Sequence, residues 1–162
     1  MTSSNWEIQR TEIAERVVAL RTKGVCPTCH DLEAGDLFGS NGRLLFEDER
    51  FLVVLERFPR MWGHSVIVYK PHRDDISELG DDEAGSVMLM VLRIVRALKE
   101  GLSAEKVYVN TMCDGTPNHL HFQLFPRFAG DEIGSRRFVL PRAPIEGAEQ
   151  AAAAVRRALA VP

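Results

Sequence analysis

One short segment constrains this chain more than any other: His119-Leu120-His121-Phe122-Gln123-Leu124-Phe125. Its alternation of polar and apolar side chains has the period of a strand with one covered face. Leu120, Phe122 and Leu124 then face a core, while His119, His121 and Gln123 share the opposite face. Neighbours on that face stand about 7 Å apart. An exposed strand more commonly carries Thr, Lys or Glu there. Three nitrogen-bearing side chains in file point to a ligand or to chemistry; an exposed face that happens to hold two histidines is the bland alternative.

The flanking sequence predicts what this strand pairs with. A helix is expected over 4–22, capped by Ser3 or Ser4, with Ile8, Ile13, Val17 and Leu20 at helical spacing and Gly24 as its stop. Cys26–Gly35 reads as a short turn-rich segment. Strands are expected at Leu44–Phe46, Phe51–Glu56, His64–Tyr69 and Val107–Asn110. A long helix over 80–100 takes Asp81 or Asp82 as its cap and Gly101 as its stop. Val87, Leu89 or Met90, Val91, Ile94, Val95 and Leu98 are its inward side, and Met88 and Met90 both read as core. Residues 126–144, with Pro126, Pro141 and Pro144, are largely irregular, and 146–160 is an alanine-rich helix. The pattern predicts an α+β fold: an antiparallel sheet of about five strands with the long helix and the terminal helices packed on it. A chain of 162 residues is expected to form a single domain over 1–162, its motif-bearing part at 26–127.

Charge and hydropathy exclude several classes. Lysine and arginine number 20 against 23 acidic residues, a net charge of −3. A general nucleic-acid binder would need a basic surface, although a local basic pocket for a small anion fits this balance. The longest apolar runs, Phe51–Leu55 and Val87–Leu92, fall far short of the ~20 residues that span a bilayer. No basic-then-apolar leader opens the chain. The expectation is a cytoplasmic protein with neither membrane nor nucleic acid as partner.

In a reducing compartment the Cys26-Pro-Thr-Cys29 pair is a redox site or half of a metal site. A redox pair belongs at a strand-to-helix junction, whereas this one follows a helix and precedes a loop. Zinc takes four tetrahedral Cys or His ligands. His64, His72, His119 and His121 could supply the remaining two; His30 sits too close to Cys29 in sequence. Cys113 has no evident base to activate it.

Taken in order, Cys26-x-x-Cys29, Phe58-Pro59-x-x-x-Gly63-His64-Ser-Val-Ile-Val-x-x-Pro71-His72, Asn110 and His119-x-His121-x-Gln123 resemble the histidine-triad superfamily. The likeness runs from about Cys26 to Arg127. The usual third histidine is replaced by Gln123. That form is similar to the galactose-1-phosphate uridylyltransferase and dinucleoside polyphosphate phosphorylase branches, as is the stretch from Glu56 to His64, while the length is that of the compact hydrolases. The resemblance implies a nucleotide substrate and His121 as the nucleophile at its α-phosphorus, with a covalent nucleotidyl-histidine released by water or a second phosphate. It implies that Gln123 donates to a phosphate oxygen and that His64 sits near the leaving phosphates. Gly115, Thr116 and Asn118 would cradle phosphate oxygens, Asn110 would fix that loop or contact phosphate, and Glu56 would hold the ribose hydroxyls. In zinc-bearing members the ligands would map to Cys26, Cys29, His72 and His119, with a structural zinc. A homodimer is implied as well.

Plainer roles compete for the remaining residues. Trp62 stacks on a base or packs in its loop. Arg57, Arg60 and Lys70 face phosphates or solvent. Arg127, Arg136, Arg137 and Arg142 belong to a flap over polyphosphate or to a solvated loop. The alternative to a nucleotidyl hydrolase or transferase is a catalytically weak nucleotide-binding protein on the same fold. A purely structural zinc domain would leave Gly63-His64 and Gln123 unexplained.

Overall fold

The computed structural model describes residues 4–40, 42–112 and 114–160. Ser3 and Cys113 lie outside these residues. Five strands, β1 (Leu44–Glu47), β2 (Phe51–Leu55), β3 (Ser65–Tyr69), β4 (Lys106–Asn110) and β5 (His121–Arg127), form one antiparallel sheet. Their order is β1-β2-β3-β5-β4. The α-helices are α1 (Asn5–Thr22), α2 (Pro27–Ala34), α3 (Asp81–Leu102) and α4 (Ala148–Leu159). The expected α+β class holds.

Alternation builds the two faces of the sheet. Phe51, Val53 and Leu55 on β2, and Ser65, Ile67 and Tyr69 on β3, are buried. With Phe122 and Leu124, the apolar members of this set meet Ile94 and Leu98 of α3 and Ala152 and Val155 of α4 in the core. Leu52, Val54, Val66 and Val68 point the other way and are only half-buried. Val66 pairs with Gln123 and Val68 with His121, which puts these two polar residues of β5 on this second face.

The helices depart from expectation in instructive ways. The Gly80 N–H donates to Glu83 Oε2 at 3.1 Å, so α3 is capped one residue earlier than Asp81. It passes through Gly101 and ends at Leu102, with Ser103 left-handed at φ 60. Gly101 is not a stop: a Cβ there would lie 2.8 Å from the Ala154 carbonyl oxygen of α4, so it admits the close crossing of the two helices. Met90 is core, but Met88 is 56% and Leu89 68% exposed, because a 3.6-residue period carries them to the outer face.

Cys26–Gly35 is mainly helix rather than turn. Cys26 is the N-cap of α2, its Sγ accepting the Cys29 N–H at 3.3 Å, with Pro27 in the first turn. The cap of α1 is Ser4, whose N–H donates to Glu7 Oε2 at 2.8 Å. No residue of α1 is fully buried. Its Trp6, Gln9, Ile13, Val17, Leu20 and Arg21 make one half-buried stripe, and Ile13, Val17 and Arg21 line a cleft that also takes in Val54, Val66 and Val68 of the sheet. No helix among the described residues is long and apolar enough to cross a membrane.

Candidate active site and metal centre

The cleft has a volume of about 570 Å³, and His121 and Gln123 lie in it. His121 Nδ1 is 2.8 Å from the His119 carbonyl oxygen. A carbonyl can only accept, so Nδ1 donates, and in the neutral ring Nε2 is the nitrogen with the lone pair. That is the state a nucleophilic imidazole requires.

Gln123 is fixed from behind. The Arg60 N–H donates to His64 Nδ1 at 3.2 Å, which leaves the His64 proton on Nε2. Nε2 then donates to Gln123 Oε1 at 3.2 Å, so the Gln123 NH2 is the end left for a ligand. Gly63 makes the turn: its φ is +71, and a Cβ there would meet Leu102 Cδ1 at 2.6 Å. The expected place of His64 near leaving phosphates is not what the fold builds. His64 is 1% exposed, stacked 4.4 Å from Phe125, and absent from the cleft lining. Burial pushes its pKa down to about 4, so the ring is neutral near pH 7.

The other expected ligand-binding residues divide. Glu56 lines the cleft, accepts the Phe58 N–H at 3.3 Å and pairs with Arg142 at 3.4 Å. Asn118 also lines it, but its Nδ2 donates to the Asp74 carbonyl at 3.1 Å. It ties the loop before β5 to the segment bearing His72. Asn110 stands opposite Gln123 on β4. Gly115 and Thr116 are exposed in the loop. Trp62 packs against the core and lies under Gly147. Lys70 pairs with Glu47, and Arg60 donates to the Leu140 carbonyl. Arg57 lines the cleft and donates to Gln9 of α1 at 3.1 Å. Of the basic residues expected in a flap or solvated loop, Arg127 ends β5 and pairs with Glu105, Arg137 is buried and pairs with Asp131, and Arg142 lines the cleft beside Glu56. Arg10, Arg21 and Arg43 also line the cleft. Sequence reasoning missed them because no local pattern says which side of α1, or which loop, faces the sheet.

Cys26, Cys29, His72 and His119 converge, their ligand atoms all within 4.8 Å of one another. His119 Nδ1 is 3.5 Å from Cys26 Sγ and 3.4 Å from Cys29 Sγ, and His72 Nδ1 is 3.2 Å from Cys29 Sγ. Zn–S of about 2.3 Å and Zn–N of about 2.0 Å at a tetrahedral angle imply S···N edges of roughly 3.5 Å, so the set fits that ion. His119 Nε2 donates to the Tyr69 carbonyl at 2.7 Å, which fixes the tautomer with Nδ1 free to ligate. Burial and the adjacent Cys26 push the Cys29 thiol up to about 12. His30 takes no part; it pairs with Asp36 at 3.0 Å.

A match to the HIT domain covers residues 39–130 of the 162. The chain belongs to the HIT domain family. An uncharacterized HIT-like protein of Methanocaldococcus jannaschii is 33% identical over 92 residues, 55% of this chain and 71% of that protein. Protein hit of Bacillus subtilis is 27% identical over 109 residues, 63% and 72% of the two. A zinc-bound histidine triad family protein from Mycobacterium smegmatis superposes with a TM-score of 0.66 at 26% identity, over 83% of this chain and 93% of that one. A uridylyltransferase superposes with a TM-score of 0.65 at 21% identity, over 93% of this chain and 50% of that one. The last likeness is one of fold alone.

Proposed function

We propose that this protein is a nucleotidyl hydrolase or transferase that cleaves a nucleotide at its α-phosphorus. The observation that carries the reading is that His121 and Gln123 line one cleft and that His121 Nδ1 is held by the His119 carbonyl, which leaves Nε2 as the unengaged ring nitrogen. Nε2 attacks the α-phosphorus, a P–N bond forms, and the bond to the leaving group breaks. The Gln123 NH2 donates to a non-bridging oxygen as charge builds there. Water or a second phosphate then takes the nucleotidyl group from His121. Glu56 accepts from the ribose hydroxyls, sharing its carboxylate with Arg142. Asn110, Gly115, Thr116 and Asn118 shape the phosphate end, and His64 serves as a positioning residue for Gln123.

Cys26, Cys29, His72 and His119 hold a zinc ion in this reading. Four protein ligands would leave such an ion no open position, so its contribution would be to the fold and not to a reactive water. The centre would tie the start of α2 to the segments bearing His72 and His119, the latter two residues before the nucleophile. By family resemblance the protein is a cytoplasmic homodimer, and light scattering reads that state directly.

The acceptor is tested by product analysis of a dinucleoside polyphosphate digest with and without orthophosphate. From a dinucleoside tetraphosphate, a nucleoside monophosphate beside the departing nucleoside triphosphate assigns hydrolysis. A nucleoside diphosphate that appears only with orthophosphate assigns phosphorolysis. No cleavage of any nucleotide, with measurable binding, favours the nucleotide-binding protein instead.

A further inference from the structure

The last turn of α1 reaches the loop that enters β5. Arg21 is half-buried there, and its guanidinium packs on Gly115. A Cβ on Gly115 would lie 3.1 Å from Arg21 Nη1 and 3.4 Å from Cζ, and the glycine has φ +82. Both the backbone and the guanidinium therefore demand glycine at this position. The same arginine lines the cleft together with His121 and Gln123.

Its hydrogen-bonding state is unusual. The Nε atoms of Arg21, Arg60, Arg127 and Arg137 are buried without a partner among the described residues. The other three are satisfied at their Nη atoms: Arg60 by the Leu140 carbonyl, Arg127 by Glu105, and Arg137 by Asp131 and the Pro126 carbonyl. Arg21 makes no such bond and joins no ion pair among the described residues. An unmatched cation at the rim of a cleft, beside the loop before the nucleophile's strand, is placed to receive an anion. It also lies on α1, outside the HIT match at 39–130.

The chemistry of the site says which anion. When the α-phosphorus bond breaks, its electron pair leaves on the bridging atom. Gln123 has no proton to give, because an amide is not an acid in this range. His64 is neutral and buried behind Gln123. A leaving group that needs protonation, such as an amine, is served by neither. A leaving phosphate needs only a fixed positive charge, and arginine keeps its proton.

We propose that Arg21 binds the leaving phosphate, so that the substrates are phosphoanhydrides, nucleotides whose α-phosphate is joined through oxygen to another phosphate. The P–N bond to His121 forms, the bridging P–O bond breaks, and the pair stays on the departing phosphate against the Arg21 guanidinium. This rests on the nucleotidyl reading above and narrows its substrate.

The test compares a dinucleoside polyphosphate with the 5′-phosphoramidate of the same nucleoside, using wild type, Arg21→Gln and Arg21→Lys. The readout is the ratio of the two kcat/KM values, which the fraction of folded enzyme does not alter. Arg21→Gln lowers the anhydride-to-phosphoramidate ratio by about ten- to a hundredfold, as loss of a charge-assisted bond implies, and Arg21→Lys recovers part of it. An unchanged ratio overturns the proposal, including the case where both substrates slow equally. A binding measurement separates this from the parent reading. If wild type turns over neither substrate, the nucleotidyl reading fails. Arg21 is then judged by calorimetry, where wild type holds a nucleoside diphosphate more tightly than the monophosphate and Arg21→Gln narrows that gap about tenfold. A gap equal in both proteins overturns the assignment of Arg21.

Discussion

His64 Nε2 stands 3.2 Å from Gln123 Oε1, and the Arg60 N–H on the far side of the ring sets the direction of that bond. A backbone amide thus determines which end of a side-chain amide the substrate meets. The Gln123 NH2 faces the site because the histidine behind it has only one tautomer open to it.

Removing this control has a kinetic signature. In His64→Ala the amide is free to flip, and kcat falls about ten- to a hundredfold, the scale of one misplaced oxyanion donor, with a smaller change in KM. Steady-state kinetics beside a melting curve check this, since the emptied site also costs about 2–4 kcal/mol of stability. An unchanged kcat in a folded variant removes His64 from the account.

The same ring links stability to pH. Its pKa falls from 6.5 to about 4 on folding, chiefly through burial. Below pH 6.5 the unfolded chain takes up a proton that the native ring refuses, so the contribution is complete above 6.5 and lost as pH drops toward 4. The full span is about 3 kcal/mol, at about 1.4 kcal/mol for each pH step. Urea denaturation from pH 7.5 to 4.5 is expected to slope less in His64→Gln than in wild type over that window.

Metal content separates the zinc centre from a redox pair. Protein purified without chelator carries about one zinc per chain, and Cys26→Ser or His72→Ala lowers both the zinc content and the melting temperature. Elemental analysis with calorimetry checks this. A metal-free wild type as stable as Cys26→Ser would refute the centre.

Two glycines of α3 are expected to respond with opposite signs. Nothing lies within 4 Å of a Cβ on Gly85, whereas at Gly101 it meets the Ala154 carbonyl oxygen at 2.8 Å. Gly85→Ala therefore stabilises by about 0.5–1 kcal/mol through helix propensity. Gly101→Ala destabilises by about 1–3 kcal/mol because the α3–α4 crossing must open. Chemical denaturation of the two variants reads the difference.

These cases also show where the sequence was legible. The strict alternation of His119–Phe125 placed His119, His121 and Gln123 on one face of a strand; β5 starts at His121, keeps His121 and Gln123 on that face and leaves His119 in the loop before it. Cys26, Cys29, His72 and His119 could be grouped only through family resemblance, and the fold does bring them together. α2 was not visible because its start is capped by a cysteine and its 8 residues are too few for a period. Gly101 looked like a helix end because a contact between distant helices leaves no mark on local sequence. His64 precedes β3 by one residue, so the alternation of that strand could not say that it tucks behind Gln123. Arg21 carried no signal, since only the lie of α1 over the sheet brings it to the cleft.

The most direct measurement is intact-mass spectrometry of the wild type and His121→Ala after quenching with a small panel of nucleotides. The expected spectrum shows the wild type heavier by one nucleoside monophosphate, with the adduct on His121, cleared by water or orthophosphate and absent from His121→Ala. An adduct that persists in His121→Ala, or cleavage by the wild type with no adduct under any quench, would contradict covalent catalysis at His121.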